Sequence, residues 1–299
     1  MMRLEAEQKV FEIAGVKVGG IPGRDPTVLI GTIFYKKQRI VEDERRGVFD
    51  EEKAEELIKL QEEYSDRTGN PSMLDVEGAT SEALRKYLEF AADVTDEPLL
   101  LGGPTPEVRI EALKWAGEVG LTKRIVYNSL LPGCEKNELE AIRDAGVKCA
   151  ILLAYNVSSL TSAGRLKALQ ELLKAVEGYG IEKPLLDTFV MDIPSLGAAL
   201  QAIPEAKSRW GLPAGCGPHN AIGLWRGLKR KMGVKARRPA VAAVNAVAAA
   251  LGADFLLYGP IEEAPYVYPA VAMVDAAYAF PAMRGGLKLS REHPLFKIP

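Results

Sequence analysis

The sequence predicts an α/β protein built as a closed (β/α)8 TIM barrel, and two observations support this fold class. Short aliphatic runs alternate with amphipathic helical stretches roughly every thirty residues, and eight such strand–helix units can be counted along the 299 residues. The strands are continuously apolar rather than alternating, as in CAILLAY at 149–155, which is typical of a parallel sheet buried on both faces. A doubly wound open sheet is the alternative fold.

The segment before the first barrel strand is predicted to form a β-hairpin. Residues 10–20, VFEIAGVKVGG, contain two short strand patterns around Ala14-Gly15, and this hairpin is placed to plug the bottom of the barrel. We therefore expect a single domain over residues 1–299, of which residues 1–26 are an N-terminal hairpin extension.

The first four strand–helix units are predicted as follows. Thr27 to Phe34 form the first strand, and Asp50 is the expected N-cap of a helix over 51–64. The next strands are expected at 72–76, 98–101 and 124–127, followed by helices at 81–92, 106–119 and 136–144.

The last four units continue the same alternation. Strands are expected at 148–155, 184–189, 212–216 and 254–258. The helices that follow them are expected to start near Thr161, Ser195, Ala221 and Glu262.

Composition excludes several classes of function. The net charge of −2 argues against a surface tuned for nucleic acid, which requires a basic footprint. Three cysteines without a CxxC pair and only two histidines predict no disulfide framework and no bound metal. Because no apolar run reaches the length of a membrane span and the start lacks the apolar core of a secretory signal, we expect a cytoplasmic protein.

The carboxyl ends of the predicted strands carry amides and carboxylates, and in a TIM barrel this end bears the function. Among them are Asp75, Asn128, Asn156, Asp187 and Asn220. Taken singly, such a residue is more often a turn former or a helix N-cap. As a set they suit a neutral heterocycle, because a carboxylate such as Asp187 can accept two parallel hydrogen bonds from a guanidine-like edge, and a pterin presents that edge.

The glycine-rich segment GCGPHN, residues 215–220, permits three interpretations. A phosphate or dinucleotide site is weak because Asn220 replaces the last glycine of the usual fingerprint. A zinc site at Cys216 and His219 lacks an evident third ligand. A tight turn with Cys216 in the core is the expected structure.

The segment from Arg226 to Arg238 is the one strong cluster of charge. It contains seven basic residues and no acidic one. A solvated helix face is as good an interpretation as a functional one. If the segment is functional, an acidic protein partner or an anionic cofactor tail such as polyglutamate is the expected ligand.

Several long motifs resemble a known family. They are GTIFYKKQRIVEDERRGVFD at 31–50, EVGLTKRIVYNSL at 118–130, KPLLD at 183–187, GLPAGCGPHN at 211–220 and ADFLLYGPIEEAPYVYPAVAMVD at 253–275. They are similar to the MtrH subunit of tetrahydromethanopterin S-methyltransferase and to the bacterial methylcorrinoid:tetrahydrofolate methyltransferases of glycine betaine metabolism. The resemblance spans nearly the whole chain and implies a pterin-binding TIM barrel.

The resemblance also implies roles for individual residues. Asn128 and Asp187 would hold the pterin, and Asn220 would lie near its N5 atom, so that Asn220 and Asp187 are the expected catalytic residues. Asn156 joins the expected pterin-binding set. Gly102 and Gly103 also belong to this set. With Pro104 they stand where many relatives have Asp-Ser-Thr, so one expected pterin carboxylate is missing, and Asp75 on the neighbouring strand is the residue expected to substitute for it.

The implied reaction moves a methyl group from methylcobalamin, supplied by a partner corrinoid protein, to N5 of a tetrahydropterin. Tetrahydrofolate is the expected acceptor because of Gly102-Gly103. The alternatives are the MtrH subunit itself, acting on tetrahydromethanopterin, and a non-catalytic module that binds a pterin or docks a corrinoid protein. Family resemblance further implies a homodimer.

Overall fold

A closed barrel of eight parallel strands forms the body of the chain in the computed structural model, which describes residues 4–156 and 158–299. The first three residues of the predicted N-terminal extension lie outside these ranges. The strands are β1 Val10–Ile13, β2 Val16–Gly19, β3 Val28–Ile33, β4 Val41–Asp43, β5 Val48–Phe49, β6 Ser72–Glu77, β7 Leu99–Gly102, β8 Ile125–Leu130, β9 Cys149–Leu153, β10 Lys183–Asp187, β11 Ala214–Cys216 and β12 Phe255–Pro260. The barrel order is β3-β6-β7-β8-β9-β10-β11-β12, closed by the β12–β3 pair. The predicted fold class is confirmed.

Helices connect successive barrel strands and surround the barrel. They are α1 Glu51–Thr68, α2 Ser81–Val94, α3 Pro106–Glu118, α4 Lys136–Ala145, α5 Ser162–Ala175, α6 Ile193–Trp210, α7 His219–Gly223, α8 Arg226–Met232, α9 Arg237–Ala250, α10 Ala264–Arg284 and α11 Pro294–Lys297. No helix within the described ranges is both long and apolar enough to cross a membrane.

Side-chain caps explain where the early helices begin. Asp50 caps α1 as predicted, and its carboxylate accepts from the backbone N–H of Lys53 at 3.1 Å. Thr80, Thr105 and Thr161 do the same for α2, α3 and α5. Each threonine satisfies a backbone donor that would otherwise lack a partner at a helix start, so the turns between strand and helix are defined by local sequence.

The predicted hairpin is present and closes one end of the barrel. β1 and β2 pair antiparallel around Ala14-Gly15. Ile13 and Val18 are 3% and 1% exposed and pack with the apolar side chains that fill the barrel interior. Those interior side chains include Val28, Cys149 and Phe255, which lie at or near the starts of their strands, so the hairpin covers the bottom of the barrel.

Several elements differ from the sequence prediction. The fifth barrel strand ends at Leu153 rather than at residue 155, so Tyr155 and Asn156 lie in the following loop. The helix expected near Ala221 is broken into α7, α8 and α9, and Gly233, at φ 85°, ends α8. A small antiparallel pair, β4 with β5, was not predicted and lies in the long connection after β3.

Candidate functional site

The inner face of the barrel can be followed along each strand, because side chains alternate between the two faces of a sheet. Continuing the interior apolar positions toward the carboxyl ends gives Thr32 on β3, Asp75 and Glu77 on β6, Gly102 on β7, Asn128 on β8, Leu153 on β9, Asp187 on β10 and Gly259 on β12. The barrel interior thus changes from apolar to mainly polar near this end, which we call the mouth. In TIM barrels this is the end where active sites lie.

Asp75 is the centre of a hydrogen-bonded group at the mouth. The hydroxyl of Thr32 donates to its Oδ2 at 2.8 Å, and Nδ2 of Asn128 donates to its Oδ1 at 3.0 Å. Burial raises the pKa of Asp75 above its ordinary value, and these two bonds partly oppose that rise. Asp75 therefore orients Asn128, whose amide oxygen accepts no hydrogen bond from the described residues.

Asp187 ends β10 on the opposite side of the mouth and is only 5% exposed. Its Oδ1 accepts from the backbone N–H of Phe189 at 2.7 Å, whereas no described residue donates to Oδ2. Burial raises the pKa of Asp187 to about 7, and the Phe189 N–H and the guanidinium of Arg165 partly offset this effect. A carboxyl group of this kind changes charge near neutral pH.

The backbone after Asp187 has an uncommon conformation. Phe189 has φ 58°, which is strained for a residue with a bulky side chain. This conformation turns its N–H back toward Asp187, and its ring packs edge-on against Tyr155 with 5.0 Å between centroids. Strain of this kind persists where the surrounding structure holds it in place.

Arg165 holds this strained segment in place. Its side chain is fully buried, and it donates to the carbonyl oxygens of Thr188 at 2.7 Å and Phe189 at 3.0 Å. It also donates to carbonyl oxygens of Leu160 and Ser195. A single guanidinium thus joins the loops after β9 and β10. Sequence reasoning missed Arg165, because only the fold brings these distant carbonyl groups around one helix position.

Asn156 and Asn220 lie outside the inner set. The side-chain oxygen of Asn156 accepts from the backbone N–H groups of Ser158 and Ser159 at 3.1 and 3.2 Å, so it caps a turn in the loop after β9. Asn220 is exposed at the start of α7, and its Nδ2 donates to the carbonyl of Val190 at 3.1 Å. The structure therefore brings Asp75, Gly102, Asn128 and Asp187 to the mouth, with Asn220 at the rim and Asn156 in a turn.

The glycine-rich segment has a structural explanation. Cys216 is buried in the core, as the tight-turn interpretation predicts. The ring of His219 donates from Nδ1 to the carbonyl of Leu257 at 2.7 Å and packs on Gly259, where an added Cβ would lie 2.7 Å from the ring. Burial lowers the pKa of His219. The described residues contain no cluster of three or more His, Cys, Asp or Glu arranged for a metal ion.

Glu77 is the mouth residue that sequence reasoning did not select. It is half-buried and lines a cavity of about 370 Å³ together with Phe34, Lys36, Gly78 and Gly103. Its position two residues after Asp75 on the same strand was the available signal, since alternate residues share a face.

The basic segment lies on the surface after the seventh barrel strand. All seven basic side chains between Arg226 and Arg238 belong to exposed residues. Arg237 pairs with Glu263, and the guanidinium of Arg238 lies 4.6 Å from the ring centroid of Tyr266. Exposed apolar residues, Leu224, Met232 and Val234, accompany this charge.

Comparison with known sequences gives matches over nearly the whole chain. A family model described as tetrahydromethanopterin S-methyltransferase MtrH subunit matches residues 6–289. The H subunit of tetrahydromethanopterin S-methyltransferase from Methanopyrus kandleri is 44% identical over 291 residues, covering 90% of this chain and 90% of that protein. The corresponding protein of Methanothermobacter marburgensis is 40% identical over 309 residues, with 100% of each chain covered.

Comparison with solved structures gives dihydropteroate synthases. The Xanthomonas albilineans enzyme, solved with indole-2-carboxylic acid and 6-chloroguanine, has a TM-score of 0.61 at 18% identity, covering 91% of this chain and 98% of that one. The Yersinia pestis enzyme, solved with a pterine–sulfa conjugate, has a TM-score of 0.62 at 16% identity, covering 91% and 100%. At such low identity the similarity concerns the fold alone.

Proposed function

Because this chain belongs to the MtrH family of tetrahydromethanopterin S-methyltransferase subunits, we propose that it transfers a methyl group from a methylated corrinoid protein to N5 of a tetrahydropterin. The observation that carries the proposal is Asp187. It is a buried carboxyl group at the barrel mouth with one oxygen left without a donor among the described residues. An N–H edge of a heterocycle supplies the donors that such a group requires.

The residues at the mouth suit a pterin ring. Asp187 accepts the amino group and ring N–H of the guanidine-like edge, as paired carboxylate hydrogen bonds do. Asn128, oriented by Asp75, offers its amide oxygen to a further ring N–H. Gly102 and Gly103 add no side chain beside it, and the carboxyl group of Glu77 lies against Gly102. Asn156, which caps its own loop, contributes by shaping the adjacent rim.

The chemistry requires positioning more than covalent help. The lone pair of N5 attacks the methyl carbon, the cobalt–carbon bond breaks with both electrons going to cobalt, and the proton on N5 passes to solvent water at the open mouth. Asn220, which lies at the rim, orients N5 and stabilises its proton as it leaves. Holding the acceptor in line with the methyl group removes the entropy of a bimolecular encounter, an effect worth up to about 7–11 kcal/mol in favourable systems.

Two observations favour different acceptors. Gly102-Gly103 at the end of β7 favour tetrahydrofolate, because they depart from the Asp-Ser pattern implied by the family resemblance. The names of the relatives, which belong to a tetrahydromethanopterin S-methyltransferase, favour tetrahydromethanopterin. Calorimetric titration of the chain with each pterin separately, under anaerobic conditions, decides between them.

The decisive experiment repeats this titration on Asp187→Ala and Asn220→Ala, with the exposed Asp144→Asn as matched control. We expect saturable binding of one pterin, weakened at least tenfold by Asp187→Ala and unchanged by the control. Methyl transfer from a methylated corrinoid protein is then measured with each variant. Asn220→Ala is expected to lower turnover more than binding. Absence of binding to either pterin would refute the proposal.

The competing proposal is a non-catalytic docking module, favoured by the absence of a carboxylate at Gly102. Such a module would keep its affinity for the corrinoid protein after Asp187→Ala and would show no turnover in the unmodified chain.

The proposed enzyme acts in the cytoplasm as a homodimer, and sedimentation equilibrium measures that state. The corrinoid protein delivers methylcobalamin at the open mouth, so this chain requires no cobalamin site of its own.

A further inference from the structure

The side chains of Glu77 and Gly102 share one space at the mouth. The two residues are partners in the β6–β7 ladder. A Cβ added at Gly102 would lie 2.4 Å from Oε1 of Glu77 and 2.7 Å from its carboxyl carbon. Both distances are shorter than non-bonded atoms adopt, so the Glu77 side chain would have to move. The glycine on β7 is therefore what allows the carboxyl group of Glu77 to lie across the end of that strand.

The carboxyl group of Glu77 has no hydrogen-bond partner among the described residues, although it is half-buried. It lines the cavity that Phe34 and Gly103 also line, at the ends of β3, β6 and β7. The nearby guanidinium of Arg109 is engaged elsewhere, since it donates to Tyr127, to the carbonyl of Gly103 and to Glu138. Burial and the neighbouring Asp75 both raise the pKa of Glu77. A carboxyl group that faces a cavity without a donor from the described residues is suited to a ligand that brings donors.

Asp75 differs from Glu77 in this respect. Both oxygens of Asp75 already accept hydrogen bonds, from Thr32 and Asn128. Asp75 is therefore a support for Asn128, and Glu77 is the residue of this strand that remains available to a ligand.

The barrel topology sets Glu77 across from Asp187. In the strand order, β6 and β10 are separated by three strands in either direction, so the two carboxyl groups approach the mouth from opposite sides. A flat bicyclic ring held at one edge by Asp187 presents its other ring toward β6. In a tetrahydropterin that other ring carries the N5–H and N8–H donors, which a fully oxidised pterin lacks.

We propose that Glu77 is a second ring-binding carboxyl group, which accepts an N–H of the reduced ring and thereby selects tetrahydropterins over oxidised pterins. This inference rests on the proposed function, because it assumes that a pterin binds at Asp187. It assigns to Glu77 the position that the sequence had suggested for Asp75.

The test compares the affinity of the full chain for a tetrahydropterin with its affinity for the oxidised form of the same pterin. If tetrahydrofolate is the acceptor, the two probes are tetrahydrofolate and folic acid. We expect Glu77→Ala to weaken tetrahydropterin binding at least tenfold and to change the affinity for the oxidised form less than threefold. The ratio of the two affinities, which measures selectivity for the reduced pterin, should therefore fall. Glu77→Gln, which keeps the shape and one acceptor oxygen, is expected to retain an intermediate preference.

A variant in which the carboxylate is moved from position 77 to position 102 provides the matched control. Gly102→Asp alone should weaken binding, because the new side chain collides with Glu77. The double variant Glu77→Ala/Gly102→Asp removes that collision and returns a carboxylate to the same space, where the next neighbour, the carbonyl of Val76, lies 3.2 Å from the added Cβ. We expect it to recover at least tenfold selectivity for the tetrahydropterin.

The outcomes separate this inference from the proposed function. If the unmodified chain binds the tetrahydropterin and Asp187→Ala weakens it, but Glu77→Ala and Glu77→Gln leave selectivity unchanged, Glu77 is not a ligand and the function stands. If the unmodified chain binds neither the tetrahydropterin nor its oxidised form, the proposed function itself fails. Thermal unfolding checks the fold, and Glu77→Ala should not lower the Tm because its carboxyl group makes no hydrogen bond in the part of the chain that the structure describes.

Discussion

Asp187 combines two opposing properties, since the ionised form that suits a ligand is the form that burial disfavours. The pKa of Asp187 rises from its ordinary value of 3.8 to about 7, mainly because of burial. The residue therefore links binding, stability and pH, and each link can be measured.

The first prediction concerns binding. Only the ionised carboxylate accepts both N–H groups of the ring edge, so the Kd of the tetrahydropterin should rise about tenfold between pH 8 and pH 6. Asp187→Asn should bind more weakly and lose the part of this pH dependence that is centred near pH 7. Calorimetry at four pH values measures it, with Asp144→Asn as control. An unmodified chain with a flat profile would contradict the role of Asp187.

The second prediction concerns stability without ligand. The folded state keeps its proton up to about pH 7, whereas the unfolded state loses it near 3.8, so this contribution to stability is lost as the pH rises through that interval. Asp187→Asn should therefore be more stable than the unmodified chain. We expect its advantage in the free energy of unfolding to grow by about 2–3 kcal/mol between pH 5 and pH 8. Urea unfolding at both pH values measures this difference.

At the scale of elements, Arg165 on α5 controls the loops that follow β9 and β10. Its donors satisfy carbonyl groups from both loops, Thr188 and Leu160 among them. Those loops carry Phe189 in its strained conformation and, through it, orient Asp187. The position of the candidate ligand thus depends on a residue of a different element.

The third prediction follows from this arrangement. Arg165→Met keeps much of the side-chain volume but leaves buried carbonyl groups without donors, so we expect a loss of about 2–4 kcal/mol in the free energy of unfolding. Tetrahydropterin affinity should fall as well. The exposed Arg143→Met is the matched control and should change stability by less than about 0.5 kcal/mol. A variant with the stability of the unmodified chain would contradict the proposed role.

At the scale of the whole molecule, the barrel has a closed bottom and a polar mouth. The hairpin of β1 and β2 covers the bottom with Ile13 and Val18. We predict that Ile13→Ala lowers the free energy of unfolding by about 2–4 kcal/mol, because it leaves a cavity against the barrel interior. Val10→Ala, at a residue 38% exposed on the same hairpin, should cost much less. Pterin affinity should be unchanged in both variants under conditions where they are folded.

The basic segment from Arg226 to Arg238 supports a prediction about the partner. Charge reversal at the exposed Lys229 and Lys231 should raise the KM for the methylated corrinoid protein several-fold and weaken its salt dependence. The KM for the pterin should not change. Reversal at the exposed Lys114 and Lys167 is the control. A change in the pterin KM instead would identify the segment as a site for an anionic cofactor tail.

Most of the fold could be predicted from local patterns. Apolar runs, helix periodicity and caps such as Asp50 act over a few residues, so they indicate where strands and helices lie. The broken helix after β11 was missed, because the end of α8 depends on the backbone of Gly233. The strand ends drew attention to Asp75, Asn128 and Asp187, since the carboxyl ends of parallel strands meet at one end of a barrel.

The sequence by itself determined the barrel, its N-terminal hairpin and the family, because these depend on periodicity and on long motifs that are read in order along the chain. Only the tertiary structure decided which polar groups are already satisfied. Asp75 is engaged by partners 43 and 53 residues away in sequence, whereas Glu77 occupies the space left open by Gly102 on the next strand. Hydrogen-bond satisfaction and shared volume depend on distances between strands, and no local pattern carries that information.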